Sequence, residues 1–338
     1  MNSRQSPVAS LQSYVVSGFC RAVIVVALLL VPTVARAQVA DTHLIVITGV
    51  EADAADGEQF HKWATSVIDA AAKRGGVADA NITYLADKPA ADAARIKGRS
   101  TRENVEKAIG DVAERAKPND EVFILLMGHG SLDSRGAAFN LPGPDLMAAD
   151  YARLLGTLAA QRVVFVNTAS SSGGFLQPLA APGRIIVTAT KTGGEHNDTQ
   201  FPEYFVEAFT NEAADKNRDG RVSVLEAFDY AKTKVTQAYQ QKGNILTEHA
   251  SIDDGQDGKF ADTLFLDSPR ARAAKIGAVA DPALRALLEQ KQALEDQITA
   301  LKLRKPTMDP AQYDEALEKL LTDLALKSRA IQQMEGRK

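Results

Sequence analysis

The sequence predicts an α/β fold, a three-layer α-β-α sandwich built on a mainly parallel central sheet. Short apolar runs rich in β-branched and aromatic residues alternate with segments whose apolar residues recur at helical spacing, which is typical of a sheet covered by helices on both faces. The two clearest runs, 121–127 and 162–166, each end in a short polar turn. Since a strand, helix, strand unit brings the carboxyl ends of both strands to one edge of the sheet, we expect His129 and Ser170 to face each other there.

The other elements of the α/β domain, residues 38–269, follow in order along the chain. Further strands are predicted at 43–50, 81–85 and 184–189, with a last strand at 263–266. Helices are predicted through 60–71, 101–117, 145–160, 201–212 and 223–241. Thr101 is the predicted N-cap of the second helix, because a threonine hydroxyl can accept a hydrogen bond from a free amide of the first turn.

Residues 1–37 have the pattern of a secretory signal peptide. Arg4 and Arg21 precede a short apolar run at 22–31, and small residues around Ala37 form a cleavage site. We therefore expect an exported protein, periplasmic or extracellular, that makes no contact with the membrane after cleavage. An uncleaved anchor is the alternative.

The only cysteine, Cys20, lies in this segment. Cleavage would leave a chain without a thiol, which excludes cysteine-dependent hydrolysis and disulfides. Removing the segment also leaves 36 basic against 43 acidic side chains, a formal charge of −7. That balance does not indicate a nucleic-acid partner.

The polar turns after the two central strands resemble those of a known peptidase group. His129 and Gly130 follow the first strand, and Thr168, Ala169, Ser170, Ser171, Ser172 and Gly173 follow the second. This order is similar to the caspase-hemoglobinase fold, and to legumain-type peptidases most of all, over roughly residues 42 to 270. The resemblance places the family's catalytic histidine at His129 and its catalytic cysteine at Ser170, so the nucleophile position holds a serine.

Two functions follow from this pair of residues. In the first, the chain is an inactive peptidase homologue whose cleft binds a peptide or protein partner. In the second, Ser170 is the nucleophile of a hydrolase, His129 is its base, and the amides of Gly130 and Ser170 stabilise the oxyanion. We favour the first because a serine needs its base within hydrogen-bond reach and a third group to orient the imidazole. The sequence offers only Asp133 as a nearby orienting group.

Residues 215–226, the acidic loop, match the EF-hand pattern for Ca²⁺. Asp215, Asn217 and Asp219 take the first, third and fifth places, Gly220 the sixth, Arg221 the seventh through its carbonyl, Ser223 the ninth and Glu226 the twelfth. Three basic residues crowd the loop, so we expect a weak structural site with a dissociation constant of ~10⁻⁴ to 10⁻³ M. A solvated acidic turn is the alternative. The second acidic turn, 253–258, is either another ion site or an ordinary Asp-Gly loop.

The C-terminal residues 281–338 form a separate pattern after a predicted linker at 270–280. Leucines and isoleucines recur every three or four residues on both sides of the segment 306–310, which contains two prolines. Two amphipathic helices in an antiparallel hairpin are predicted. The apolar stripe of this hairpin either packs on the parent domain or mediates self-association.

Overall fold

The structure, a computed structural model, describes residues 39–158, 161–255 and 258–336. The predicted signal peptide lies outside the described residues. No helix of the described part of the chain is both long enough and apolar enough to cross a membrane.

A seven-stranded sheet forms the centre of the molecule, in the order β10-β9-β8-β4-β1-β2-β3. Its strands are β1 (Thr42–Thr48), β2 (Ile82–Ala86), β3 (Ile96–Arg99), β4 (Glu121–Met127), β8 (Arg162–Asn167), β9 (Arg184–Thr188) and β10 (Ser251–Asp253). Every neighbouring pair is parallel except β9 and β10, which are antiparallel. All side chains of β1 and β4 are buried, which explains why these strands are apolar without alternation.

Helices cover both faces of this sheet. They are α1 (Ala54–Asp69), α2 (Arg102–Arg115), α3 (Ala148–Gly156), α4 (Leu176–Leu179), α5 (Phe201–Ala208) and α6 (Val224–Gln241). Phe60 of α1 and Phe228 of α6 pack in the core on one face, while Ile109 of α2 and Tyr151 of α3 pack on the other. The predicted three-layer sandwich is confirmed. The hydroxyl of Thr101 accepts a hydrogen bond from the amide of Asn104 and caps α2, as predicted.

A small antiparallel sheet lies between β4 and α3, where the sequence analysis predicted no strand. It consists of β5 (Gly130–Asp133), β6 (Gly136–Phe139) and β7 (Leu146–Met147). Because β5 starts directly after His129, this insertion fixes the direction in which the chain leaves the edge of the main sheet.

The end of the domain differs from the sequence prediction. The predicted strand at 263–266 is not formed, because Ala261–Thr263 is a 3₁₀ helix and Phe265 makes only an isolated bridge to Ser223. The last strand of the sheet is instead β10. In the second acidic turn, the buried carboxylate of Asp254 accepts hydrogen bonds from three backbone amides that follow it.

The C-terminal helices are present as predicted. Residues 270–280 were predicted as a linker, but most of this stretch belongs to a short helix, α7 (Pro269–Gly277). The helices α8 (Pro282–Arg304) and α9 (Pro310–Glu335) follow it. Lys302 of α8 forms an ion pair with Asp262 of the α/β domain at 2.8 Å. Leu321 of α9 remains 48% exposed. The hairpin therefore contacts the parent domain and still keeps an apolar side chain in solvent.

Candidate functional site

The turn after β8 is fixed to the end of β4 by hydrogen bonds. The Thr168 amide and hydroxyl both donate to the carbonyl of Leu126, at 3.0 and 2.8 Å. The Ser170 hydroxyl donates to the carbonyl of Gly130 at 3.0 Å and accepts from the Gly130 amide at 3.3 Å. Ser170 is therefore next to the histidine turn, at the edge of the sheet where the strand pattern predicts it. We call this edge, with His129, Gly130 and Ser170, the crevice.

Gly130 allows the close approach of these two turns. A Cβ atom at this position would lie 2.2 Å from the backbone oxygen of Ser170, well inside van der Waals contact. Its amide, predicted to stabilise an oxyanion, donates to the Ser170 hydroxyl in this structure. An incoming carbonyl oxygen would have to replace that hydroxyl as the acceptor.

A carboxylate lies near each ring nitrogen of His129. Nε2 lies 2.9 Å from Asp56, and Nδ1 lies 3.3 Å from Asp198, which is largely exposed. The imidazole packs edge-on against Phe60, with 5.4 Å between the ring centroids. The hydrogen bond to His129 lowers the pKa of the Asp56 carboxyl. Within the described residues, no hydrogen bond joins His129 to the Ser170 hydroxyl, so the base and the alcohol are neighbours that do not form a dyad here.

Asp56 is the orienting group that the sequence analysis missed. The nearby candidate, Asp133, instead binds Arg135 through two hydrogen bonds, at 3.0 and 2.6 Å, at the tip of the small sheet. Asp56 lies in the first turn of α1, directly after β1, which is the neighbour of β4 in the sheet. The rule that brings parallel strand ends to one edge would have identified this acidic first turn as a candidate.

A second loop, residues 190–199, lies against the crevice. Ser171 has a left-handed backbone with φ of 57°, and its hydroxyl lies 3.1 Å from Nδ1 of His196. Its amide donates to the carbonyl of Glu195 at 2.7 Å. The Thr199 hydroxyl donates to the carbonyl of Thr168. With Asp198 beside His129, this loop contacts both turns of the crevice.

The fold around these turns belongs to a known family of peptidases. The model of the Peptidase C13 family matches residues 33–254, more than half of the chain. The chain belongs to the Peptidase C13 family. This membership confirms the resemblance to legumain-type peptidases at the level of family and fold.

Two solved structures are similar to this C13 family member. Protein GSU0716 from Geobacter sulfurreducens has a TM-score of 0.40 and 13% identity, over 62% of this chain and 92% of that chain. The initiator caspase Dronc of Drosophila has a TM-score of 0.41 and 14% identity, over 63% of this chain and 78% of that chain. No curated protein matches the chain.

The acidic loop of this C13 family member is closed by its own side chains. The Asp215 carboxylate accepts the amides of Asp219 and Gly220. Glu226 is buried, and its two oxygens accept the amides of Lys216 and Asn217 on one side and the amide and hydroxyl of Ser223 on the other. Glu226 thus joins the first residues of the loop to the first turn of α6.

The loop fits a hard cation in its donor types. The side chains of Asp215, Asn217, Asp219 and Glu226 and the carbonyl of Arg221 offer only oxygen, which Ca²⁺ prefers. The Ser223 hydroxyl, predicted as a direct or water-mediated ligand, caps α6 in this structure.

The carboxylates of the loop are not arranged as a finished metal cluster. Among the described residues, no three or more Asp, Glu, His or Cys side chains form a group that would hold a metal ion as they stand. A bound ion would have to replace some of the four hydrogen bonds of Glu226. Burial raises the pKa of Asp219, and the charges of Asp215 and Glu226 raise it further. A cation would relieve this repulsion.

The acidic loop and the crevice lie at opposite ends of the sheet. Arg221 binds Asp267 through two hydrogen bonds, and the carbonyl of Asp267 accepts the hydroxyl of Thr42, the first residue of β1. The crevice follows the last residues of β4 and β8. Six residue steps of a strand separate these ends by about 20 Å.

Proposed function

We propose that this member of the Peptidase C13 family is an exported, calcium-binding protein that binds peptide or protein partners in the crevice and does not hydrolyse them. One observation carries the proposal of inactivity. The Ser170 hydroxyl is hydrogen-bonded to the backbone of Gly130, while Nε2 of His129 is hydrogen-bonded to Asp56 and Nδ1 lies 3.3 Å from Asp198. A serine whose proton is not directed at a base is a weak nucleophile at neutral pH.

The residues of the chain support this proposal further. In the resemblance to legumain-type peptidases, Ser170 takes the place of the catalytic cysteine. The only cysteine of the chain is Cys20, in the segment that we propose is removed on export. The mature protein would then have no thiolate for the chemistry of its relatives.

A serine-dependent hydrolase is the second candidate, and one observation favours it. Asp56 supplies the orienting carboxylate that a serine, histidine, acid triad requires, at 2.9 Å from Nε2 of His129. Rotation of the Asp198 side chain, which is 85% exposed, would free Nδ1 of His129. In this alternative, Nδ1 accepts the proton of Ser170 when a substrate opens the crevice.

A fluorophosphonate probe separates the two candidates, because it labels only activated serines. We expect no labelling of the purified mature protein. Labelling that disappears in Ser170→Ala and persists in Ser131→Ala, a half-buried serine on β5, would overturn the inactive assignment and support the hydrolase.

Peptide binding is tested separately with fluorescein-labelled hexapeptides that differ in their central residue. We expect saturable binding of at least one peptide, which His129→Ala abolishes. Control titrations use His61→Ala, which removes a partly exposed histidine paired with Asp92. Absence of binding by the whole set, or binding unchanged in His129→Ala, would contradict a role of the crevice in recognition.

Export is tested by the amino terminus of the protein recovered from its own cells. We expect a mature chain that begins at Gln38 and is released with the periplasmic or extracellular fraction. A full-length chain that starts at Met1 and remains with the membrane pellet would refute cleavage.

A further inference from the structure

A cavity of about 550 Å³ lies beside the acidic loop and away from the crevice. Its wall is formed by residues 70–75 after α1, residues 209–212 after α5, the acidic loop and residues 265–267. We call it the arginine cavity, because Arg74, Arg218 and Arg221 line it. Nothing in the crevice chemistry requires these residues, since the cavity is at the opposite end of the sheet.

One of the three arginines is held rigidly. The guanidinium of Arg221 stacks on the ring of Phe265, 3.3 Å from its centroid, and forms two hydrogen bonds with Asp267, at 2.8 and 3.1 Å. A guanidinium fixed in this way keeps a defined position, and its Nη1 lies 4.0 Å from a carboxylate oxygen of Glu295 in α8. Arg221 and Phe265 together make one cationic and apolar wall.

The other two arginines have no carboxylate partner. Arg74 and Arg218 form no ion pair within the part of the chain that the structure describes. Of the acids that line the cavity, Asp267 is bound to Arg221, and Asp215 accepts two amides of its own loop. Glu212 is the one lining carboxylate in the described residues without such a partner. Two guanidinium groups without an ion pair thus line the cavity together with the carboxylates of Glu212 and Asp215.

Apolar side chains complete the cavity. Phe209, Val222, Phe265 and Leu266 line it beside the arginines. A pocket with an apolar lining and a few convergent polar groups is typical of a small-molecule site, and guanidinium groups bind carboxylates through paired hydrogen bonds. The ligand chemistry that fits is a carboxylate attached to an apolar body.

We propose that the arginine cavity binds an organic carboxylate with an apolar body, and that calcium in the acidic loop strengthens this binding. The second part rests on the proposed calcium site. Asp215, Arg218 and Arg221 belong both to the acidic loop and to the cavity wall. A cation at the loop fixes these residues and offsets the negative charge of Asp215, Asp219 and Glu226, which otherwise repels an anion. The coupling is reciprocal, so the carboxylate also raises the affinity for calcium.

Isothermal titration calorimetry of the whole mature protein tests the site. The probe is N-acetyl-phenylalanine, with N-acetyl-phenylalanine amide as the uncharged comparison. We expect saturable binding of the acid and none of the amide in about 10 mM calcium, where a weak site is largely filled. Loss of one charge-assisted contact in Arg218→Gln or Arg74→Gln weakens binding about tenfold or more. Arg115→Gln, an exposed arginine at the end of α2, leaves it unchanged.

Two further titrations identify the source of the carboxylate. Tighter binding of acetyl-Ala-Ala-Phe than of 3-phenylpropanoate supports a peptide carboxyl terminus as ligand, and the reverse order supports a free small acid. Absence of binding by all the acids, or binding that is equal in wild type and in the Arg74→Gln, Arg218→Gln double variant, overturns the site.

Titration in chelator tests the coupling to calcium. We expect several-fold weaker binding of N-acetyl-phenylalanine without calcium. Equal affinity with and without calcium, in a protein whose melting temperature responds to calcium, refutes the coupling and leaves the calcium site intact. A melting temperature that does not change with calcium refutes the calcium site. In that case the arginine variants still test whether the cavity binds the carboxylate.

Discussion

Calcium should stabilise the folded protein through Glu226. With a dissociation constant of ~10⁻⁴ to 10⁻³ M, about 10 mM calcium adds roughly 1.4 to 2.7 kcal/mol to the free energy of unfolding. This corresponds to an increase of about 3 to 10 °C in the melting temperature. Glu226→Gln removes the bidentate ligand, so we expect the difference between calcium and chelator to vanish in this variant. The measurement is thermal unfolding of each protein in calcium and in chelator.

Comparing calcium with chelator within each protein separates the effect of a bound metal from the effect of the substitution on the hydrogen bonds of the acidic loop. Glu226→Gln also lowers stability in chelator by about 1 to 3 kcal/mol, because a charged acceptor of four hydrogen bonds is lost. Asp229→Asn is the matched control, since it removes one carboxylate of α6 that lies on the surface and pairs with Lys216. This control should keep the calcium shift. A wild type that melts identically in calcium and chelator would refute the site, and a full shift in Glu226→Gln would refute the role of Glu226.

Three further outcomes test other parts of the molecule. Gly130→Ala should lower the free energy of unfolding, measured in denaturant, by about 1 to 3 kcal/mol, because the added Cβ meets the backbone of Ser170. The control Gly110→Ala in α2 should be neutral or stabilising, since its Cβ meets nothing within 4 Å. Equal effects of the two substitutions would contradict the close approach at Gly130. Burial raises the pKa of Glu248 to about 7, so the folded state holds this proton more tightly than the unfolded state does. The free energy of unfolding should therefore fall by at most about 3 kcal/mol as the pH rises from 4.5 to 7. An equally steep fall in the Glu248→Gln variant would show that Glu248 is not the cause. If the C-terminal helices mediate self-association, light scattering should show a dimer, and Leu321→Lys should convert this dimer to a monomer. A monomeric wild-type protein would rule out self-association through these helices.

The central strands could be predicted because burial on both faces of the sheet restricts the residues that they can contain. The central residues of β4 and β8, 122–127 and 163–166, are buried on both faces of the sheet and are all apolar, so the runs are visible without an alignment. β10 has only three residues, all partly exposed, at the edge of the sheet. Such a strand depends on its neighbour β9 rather than on its own composition. The apolar residues at 263–266 suggested a strand, yet they pack into the core from an irregular segment.

The crevice was only partly predictable for a similar reason. His129 and Ser170 follow recognisable strands, so the topology of a parallel sheet brings them to one edge. The partners of His129 come from elsewhere in the chain, since Asp56 is separated from it by 73 residues and Asp198 belongs to a loop without regular structure. The order of parallel strands brings the first turn of α1 to this edge, so Asp56 was open to prediction. The contact of Asp198 depends on the tertiary packing of its loop, which no local pattern encodes.

The placement of the acidic loop and the crevice at opposite ends of the same strands makes them energetically independent. Residues about 20 Å apart share no partner, and changes at such distances usually add within about 0.5 kcal/mol. The stability costs of Glu226→Gln and His129→Ala should therefore sum in the double variant. A lineage with this architecture can exchange the residue at position 170 at one end of the sheet without disturbing the loop that Glu226 closes at the other.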